Sequence, residues 1–251
     1  MKILIHTPIS NRAWCFPQWF DALKAQVPAL PGAEVSMLFE LNDSYDETER
    51  LLMAHNSSAH PFKNYLIRKR SWTPTALADH QWSAERYSRM IRMRNLALWD
   101  AAHMKYDFLF SLDSDVLLHE PDTLAHLIEA DQPIIAGVFT AKWGNADADA
   151  LPNVWQTGQN EMTDEFLREA PRATVHFTVG GLGACTLIRK DVLATPWINY
   201  SPIYNLPRNY RGEDRNFCVR AAVAGITLKA CAHKRIEHLD RLFQKKESET
   251  V

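Results

Sequence analysis

The sequence has little that would tie it to a special compartment or partner. Its four cysteines, Cys15, Cys185, Cys218 and Cys231, show no C-x-x-C spacing and no small disulfide framework. Reduced thiols filling the core of a cytoplasmic protein are expected. No run approaches the roughly 18 consecutive apolar residues of a membrane span, and the opening MKILIHTPIS holds only a short apolar stretch before a polar loop. Neither a span nor a leader is read there. Charge of one sign is not in excess: 28 Lys and Arg stand against 30 Asp and Glu, a net of −2, which excludes a global attraction to nucleic acid or anionic membrane. Internal repeats and low-complexity tracts are missing. So is a dinucleotide fingerprint, because in GGLGACT the last position of G-x-G-x-x-G is Thr186.

What is present is a chain of 251 residues, 46% hydrophobic, long enough for one large α/β domain with a sizeable core. Strand-like and helix-like stretches alternate, which predicts a sheet covered by helices on both faces. KILIH gives a first strand, a helix is expected near Gln18 to Val27, EVSMLFEL a second strand, and DETERLLMAH a second helix. NYLIRKRSW reads as a short strand. A long helix is predicted from Trp82 to Met104, with Met90, Met93, Ala97, Ala101 and Met104 at the spacing of a buried stripe. DFLFSL is a buried strand, DTLAHLIEA a short helix, PIIAGVFTA and TVHFTV further strands, GEDRNFCVRAAVAG a helix stopped at Gly225, and ITLKACAHKRIEHL a single last strand. Residues Lys142 to Arg172 break the pattern and read as a substrate loop or lid. Residues 241–251 read as a frayed tail.

Three features carry chemistry. Asp113 and Asp115, at the end of a buried strand, lie two apart and would face one side if the segment stays extended. Such a pair is a hard-oxygen site for Mg2+ or Mn2+ where open α/β sheets place ligands; a solvated turn is the plain alternative. Glu213 and Asp214 open a helix, which favours carboxylates there electrostatically and also allows Asp214 to serve as a general base, although the helix end should lower its pKa. His233 and His238 would face opposite sides of one strand, leaving His238 as a third ligand or a structural histidine. Gly180, Gly181 and Gly183 either let the backbone approach a sugar or form a bulge.

RMRNLALWDAAHMKYDFLFSLDSDVLLHEPDTLAHLI, PIIAGVF, GGLGACTLIRKDVL, GEDRNFCVRAAVAG and RIEHL, taken in order, resemble the successive motifs of GT-A fold glycosyltransferases, family 2 and related groups. The resemblance covers Met90 to His238 and the first strand with its HTPIS loop. It implies a single GT-A domain over residues 1–240, a Rossmann-like mixed sheet flanked by helices, with a nucleotide-binding half at about 1–120 and an acceptor-binding half at about 121–240. It implies that Asp115 and His238 bind Mn2+ or Mg2+ with Asp113 nearby. Thr7, Pro8, Arg94, Asn95, Asp113, Ser114 and Gly181 would lie at the donor, and Asp214, with Glu213 beside it, would be the catalytic base. A metal-dependent glycosyltransferase is therefore expected, moving a sugar from a nucleotide-diphosphate sugar to an acceptor hydroxyl with inversion. The acceptor is expected to be a hydroxyl of a saccharide, small molecule, protein or modified DNA.

Several alternatives stand beside that reading. They are a retaining enzyme of the same fold, a nucleotidyltransferase, for which the first loop offers only Arg12, a phosphatase of the haloacid-dehalogenase type, and a non-catalytic nucleotide-sugar-binding module. Trp143 and Trp155 can stack on a sugar or anchor their loop. Arg86, Arg89 and Arg92, three apart, read as a basic helix face, either solvated or turned to a polyanionic acceptor.

Overall fold

The computed structural model describes residues 1–72, 83–141, 150–156, 176–206 and 212–240. Its strands are β1 (Lys2–Ile9), β2 (Glu34–Asn42), β3 (Asn64–Arg70), β4 (Phe108–Leu112), β5 (Val116–Leu118), β6 (Ile134–Gly137), β7 (Thr140–Ala141), β8 (Leu151–Pro152), β9 (Val154–Trp155), β10 (Phe177–Val179), β11 (Gly181–Leu182), β12 (Cys185–Arg189), β13 (Leu228–Cys231) and β14 (Ile236–His238). The α-helices are α1 (Phe16–Lys24), α2 (Thr48–Asn56), α3 (Ala84–His103), α4 (Thr123–Glu129), α5 (Lys190–Leu193) and α6 (Glu213–Val223).

Eight strands form one mixed sheet in the order β10-β13-β6-β12-β4-β1-β2-β3. β3, β2, β1 and β4 run parallel, and β12 lies antiparallel between β4 and β6. The central strands are apolar almost throughout because both faces are covered. Ile3, Ile5 and Ile9 of β1 pack with Phe16, Trp19 and Phe20 of α1 and Leu52 of α2. Leu4 and Leu109 join Ala97, Leu98 and Ala101 of α3 on the opposite side. The second helix face explains why α3 can be long: Ser83 caps it by accepting from the Arg86 N–H at 3.2 Å, and its buried stripe is Arg89, Met93, Arg94, Ala97, Leu98 and Ala101.

That stripe corrects two expectations. Met104 is 57% exposed, since it stands past the last turn. Arg89 is buried and donates to Asp43 at 2.9 Å and to Glu85, so it leaves no basic face with Arg86 and Arg92. The expected last strand is also two strands. β13 continues the main sheet beside β6, whereas β14 folds back to pair antiparallel with β5, His238 opposite Val116. β12, a central strand, follows GGLG where no strand was expected. The tail 241–251, Trp143 and most of the loop from Lys142 to Arg172 lie outside the described residues; residues 150–156, with Trp155, are described.

Candidate functional site

The carboxyl ends of β1 and β4 open on one site, the place where the sheet geometry leaves backbone ends and loops free to converge. Asp113 and Asp115 follow β4 in a tight turn, closed by the Val116 N–H donating to the Asp113 carbonyl at 3.1 Å, and not in an extended segment. The turn is fixed on three sides. The Asp113 N–H donates to the Ala184 carbonyl at 2.9 Å, the Leu239 N–H to the Asp115 carbonyl at 2.7 Å, and the Trp19 indole to the Asp113 carbonyl at 3.2 Å. Ser114 is buried, and its carbonyl accepts from the Cys15 thiol at 3.6 Å.

The two carboxylates take different partners. Asp115 accepts from Arg12 Nη2 at 2.8 Å, and His238 Nε2 stands 3.8 Å from its other oxygen. The His238 ring is stacked on Phe139, centroids 5.8 Å apart. Asp113 instead accepts from Arg94 Nη2 at 3.1 Å. The other terminal nitrogen of Arg94 lies 3.1 Å from Asp214 Oδ1, so one guanidinium joins the turn to the start of α6.

α6 begins after Gly212, whose φ of 146° suits glycine. Its first turn carries Glu213, buried, and Asp214, with 26% of its side chain exposed. Asp214 lies against Gly183: a Cβ there would come within 2.3 Å of Asp214 Oδ2. Gly181 has a comparable role, since the Trp155 ring fills the space where its Cβ would stand. Trp155 is thereby anchored, and Arg215 covers its ring at 4.6 Å. Beneath, buried Asn153 donates to the Gly137 and Gly183 carbonyls, both at 2.9 Å, and accepts from the Phe139 N–H at 2.9 Å.

Burial dominates the electrostatics. It pushes Glu213 up to about 8, with the neighbouring Asp214 charge adding to the rise. It also raises Asp214, opposed by Arg94 and Arg215, so desolvation outweighs the lowering expected from the helix end. Asp113 is pushed up to about 7 by burial, against Arg94 and with Asp115; its side chain keeps 30% exposure, and solvent tempers that rise.

The remaining expected residues are spread around this centre. Thr7 and Pro8 stand near the end of β1 and are buried, and among the described residues the Thr7 hydroxyl has no hydrogen-bond partner. Asn95 is engaged inside the protein: it accepts from the Tyr200 N–H at 2.8 Å and donates to Ser201 at 3.1 Å. Arg12, Asn153 and Tyr200 are the site neighbours that the sequence reading did not single out. Arg12 was visible as the lone cation of its loop; nothing local marks Asn153 or Tyr200, whose roles come from contacts distant in sequence.

The fold is that of GT-A glycosyltransferases. S. aureus TarS 1–349 in complex with UDP-GlcNAc is 16% identical with a TM-score of 0.55, covering 96% of this chain and 59% of that one. The mannosyltransferase PcManGT from Pyrobaculum calidifontis, in complex with GDP-Man and Mn2+, is 13% identical with a TM-score of 0.56, covering 95% and 56%. Residues 1–171 match the model of the glycosyltransferase family 25 N-terminal domain, and the chain belongs to that family. The broader GT-A resemblance is thereby narrowed. A glycosyltransferase 25 family member of Aedes aegypti is 25% identical over 192 residues, 71% of this chain and 31% of that protein. Procollagen galactosyltransferase 1-A of Xenopus laevis is 32% identical over 71 residues, 28% of this chain and 12% of the relative. The chain thus spans under a third of either relative's length. No helix among the described residues is long and apolar enough to cross a membrane.

Proposed function

We propose that this chain is a nucleotide-sugar-dependent glycosyltransferase that moves a sugar to an acceptor hydroxyl with inversion. The observation that carries the reading is the face-to-face placement of the Asp113–Asp115 turn and the Glu213–Asp214 helix start, one guanidinium apart. A donor held at the turn would present its anomeric carbon towards Asp214. In the transfer step the acceptor oxygen bonds to that carbon, the bond from the carbon to the diphosphate oxygen breaks, and the acceptor proton passes to Asp214. The raised pKa of Asp214 suits that role, because a more basic carboxylate takes the proton more readily. Residues 1–120 would then carry the donor, with Thr7, Pro8 and Ser114 beside the nucleotide and Gly181 at the sugar, and residues 121–240 the acceptor.

The donor chemistry also supports a divalent ion, Mn2+ or Mg2+. Asp115 and His238 offer an oxygen and a nitrogen donor close together, and Asp115 already carries a cation, the Arg12 guanidinium. Among the described residues no group of three His, Cys, Asp or Glu side chains is drawn into a metal shell. Asp115 and His238, with Asp113 behind them, would therefore hold the ion together with a diphosphate. When bound, it would neutralise charge on the departing nucleoside diphosphate.

The test is thermal stabilisation by UDP, GDP, CDP, ADP and dTDP, each with Mn2+, with Mg2+ and with chelator, followed by turnover of the matching sugar nucleotides. A galactose donor comes first, since a relative is named a procollagen galactosyltransferase. One nucleotide should raise Tm, and the shift should vanish with chelator and in Asp115→Ala. No metal-dependent shift with any nucleotide, and no sugar-nucleotide turnover, would sink the proposal.

A further inference from the structure

We infer that Arg94 is a positioning residue of the transfer reaction, a strut that fixes the Asp214 carboxylate by tying it to Asp113, and that it does not bind the donor itself. The inference rests on the reading of Asp214 as the base.

An arginine that grips a diphosphate must turn N–H groups to the solvent side of its pocket. Arg94 is 3% exposed. Its two terminal nitrogens are each 3.1 Å from a carboxylate oxygen: Nη2 hydrogen-bonds Asp113, while Nη1 faces Asp214 as an ion pair outside hydrogen-bond geometry, and among the described residues the buried Nε has no hydrogen-bond partner. The direction of the fork is set by what surrounds it. The guanidinium lies over the Tyr200 ring at 5.5 Å, and that ring stacks on Phe217 with centroids 4.7 Å apart. The Tyr200 backbone is held by Asn95, the next residue of α3, at 2.8 Å. Neighbouring His6 is kept neutral by burial and by the Arg94 and Arg68 charges, with a pKa of about 3, so it adds no competing cation to the pair of carboxylates.

Asp214 is thus confined from two directions. Arg94 draws Oδ1 towards the turn, while Oδ2 lies over Gly183, where only a missing Cβ leaves room. Planar two-point geometry matters here, because lysine carries the same charge but cannot span two carboxylates in fixed directions. A base held at the wrong angle still permits donor binding while slowing proton transfer, and that separates positioning from binding.

The experiment compares wild type, Arg94→Lys, Arg94→Ala, Asp214→Asn and the Arg94→Lys/Asp214→Asn pair, all as the full chain. UDP affinity in Mn2+, or that of the nucleotide the stabilisation screen selects, is measured beside release of that nucleotide from its sugar donor. Arg94→Lys should keep nucleotide affinity and donor KM within about threefold while kcat falls about 100-fold, within the range set by general-base catalysis. The double variant should be no slower than Asp214→Asn alone, because the two act as one unit. If Arg94→Ala does not fold, Arg94→Lys decides the matter. A kcat within threefold of wild type, fully additive losses in the double variant, or a tenfold loss of nucleotide affinity would each overturn the strut, the last making Arg94 a donor ligand. Absence of turnover in the unsubstituted chain would instead overturn the parent reading, and this role with it.

Discussion

Asp214 sits between opposed influences: burial raises its pKa, while Arg94 and Arg215 favour its anion. If it accepts the acceptor proton, Asp214→Asn should lower kcat by about 10²- to 10⁴-fold and leave nucleotide stabilisation intact, since the amide is nearly isosteric. Equal loss of both in binding and turnover assays would point to damage and not chemistry. Glu213 makes a different prediction. Its pKa is raised in the folded protein from the ordinary value near 4.5 to about 8, so between those values the folded state holds a proton that the unfolded state has lost. Stability should therefore fall as pH rises through that window, by at most about 1.4 kcal/mol per pH unit for one group. Glu213→Gln should flatten the decline, as read by urea midpoints at pH 5, 6.5 and 8. An unchanged slope would show that Glu213 is not its source.

Elements set the positions from which these residues act. β11 and β12 bracket Gly183, and the space beside that glycine is taken by Asp214. Gly183→Ala should thus displace the carboxylate and reduce kcat at least about tenfold, with nucleotide binding nearly kept; undiminished turnover would mean that Asp214 yields freely. The same segment shows where sequence reading stops. DFLFSL, KILIH and the helix carrying Arg94 were legible because burial on both faces, or on one stripe, leaves a periodic mark. β12 was not, because glycines at 180, 181 and 183 look like a turn while each marks a close approach, to the Gln156 backbone, the Trp155 ring and Asp214 in turn. The break between β13 and β14 was equally hidden: AHKR contains neither Gly nor Pro, and only the pairing with β5 shows the reversal. Asp113, Asp115, Asp214 and His238 stand out in the sequence as titratable residues, and the fold does bring them to one place. The pairing of Arg94 with two of those carboxylates was not legible, since no spacing encodes a contact between residues 94 and 214.

Across the whole molecule, one sheet carries both ends of the site. Its β3 edge is tied to α3 by a charge network in which buried Glu40 accepts from Arg68 at 2.7 Å and Arg70 at 2.8 Å, and Arg68 reaches Asp100 at 2.6 Å. Only Glu40 is fully buried, and Arg68 keeps 33% of its side chain exposed, so solvent weakens each arm relative to a buried pair, yet the network ties this edge to α3, and with it to Arg94. β14 is attached differently, through the small sheet with β5. Ending the chain before Ile236 should leave the main sheet folded by circular dichroism yet abolish metal-dependent nucleotide stabilisation. Retained stabilisation would remove His238 from the site.

The pairing of β14 with β5 also has a temporal meaning. Asp115 meets Arg12, which precedes it by 103 residues, and His238, which follows it by 123. Contacts so distant along the chain close slowly. During synthesis the parallel strands can assemble well before residue 238 leaves the ribosome. If His238 holds an ion with Asp115, that site is complete only once the chain has been made beyond residue 238.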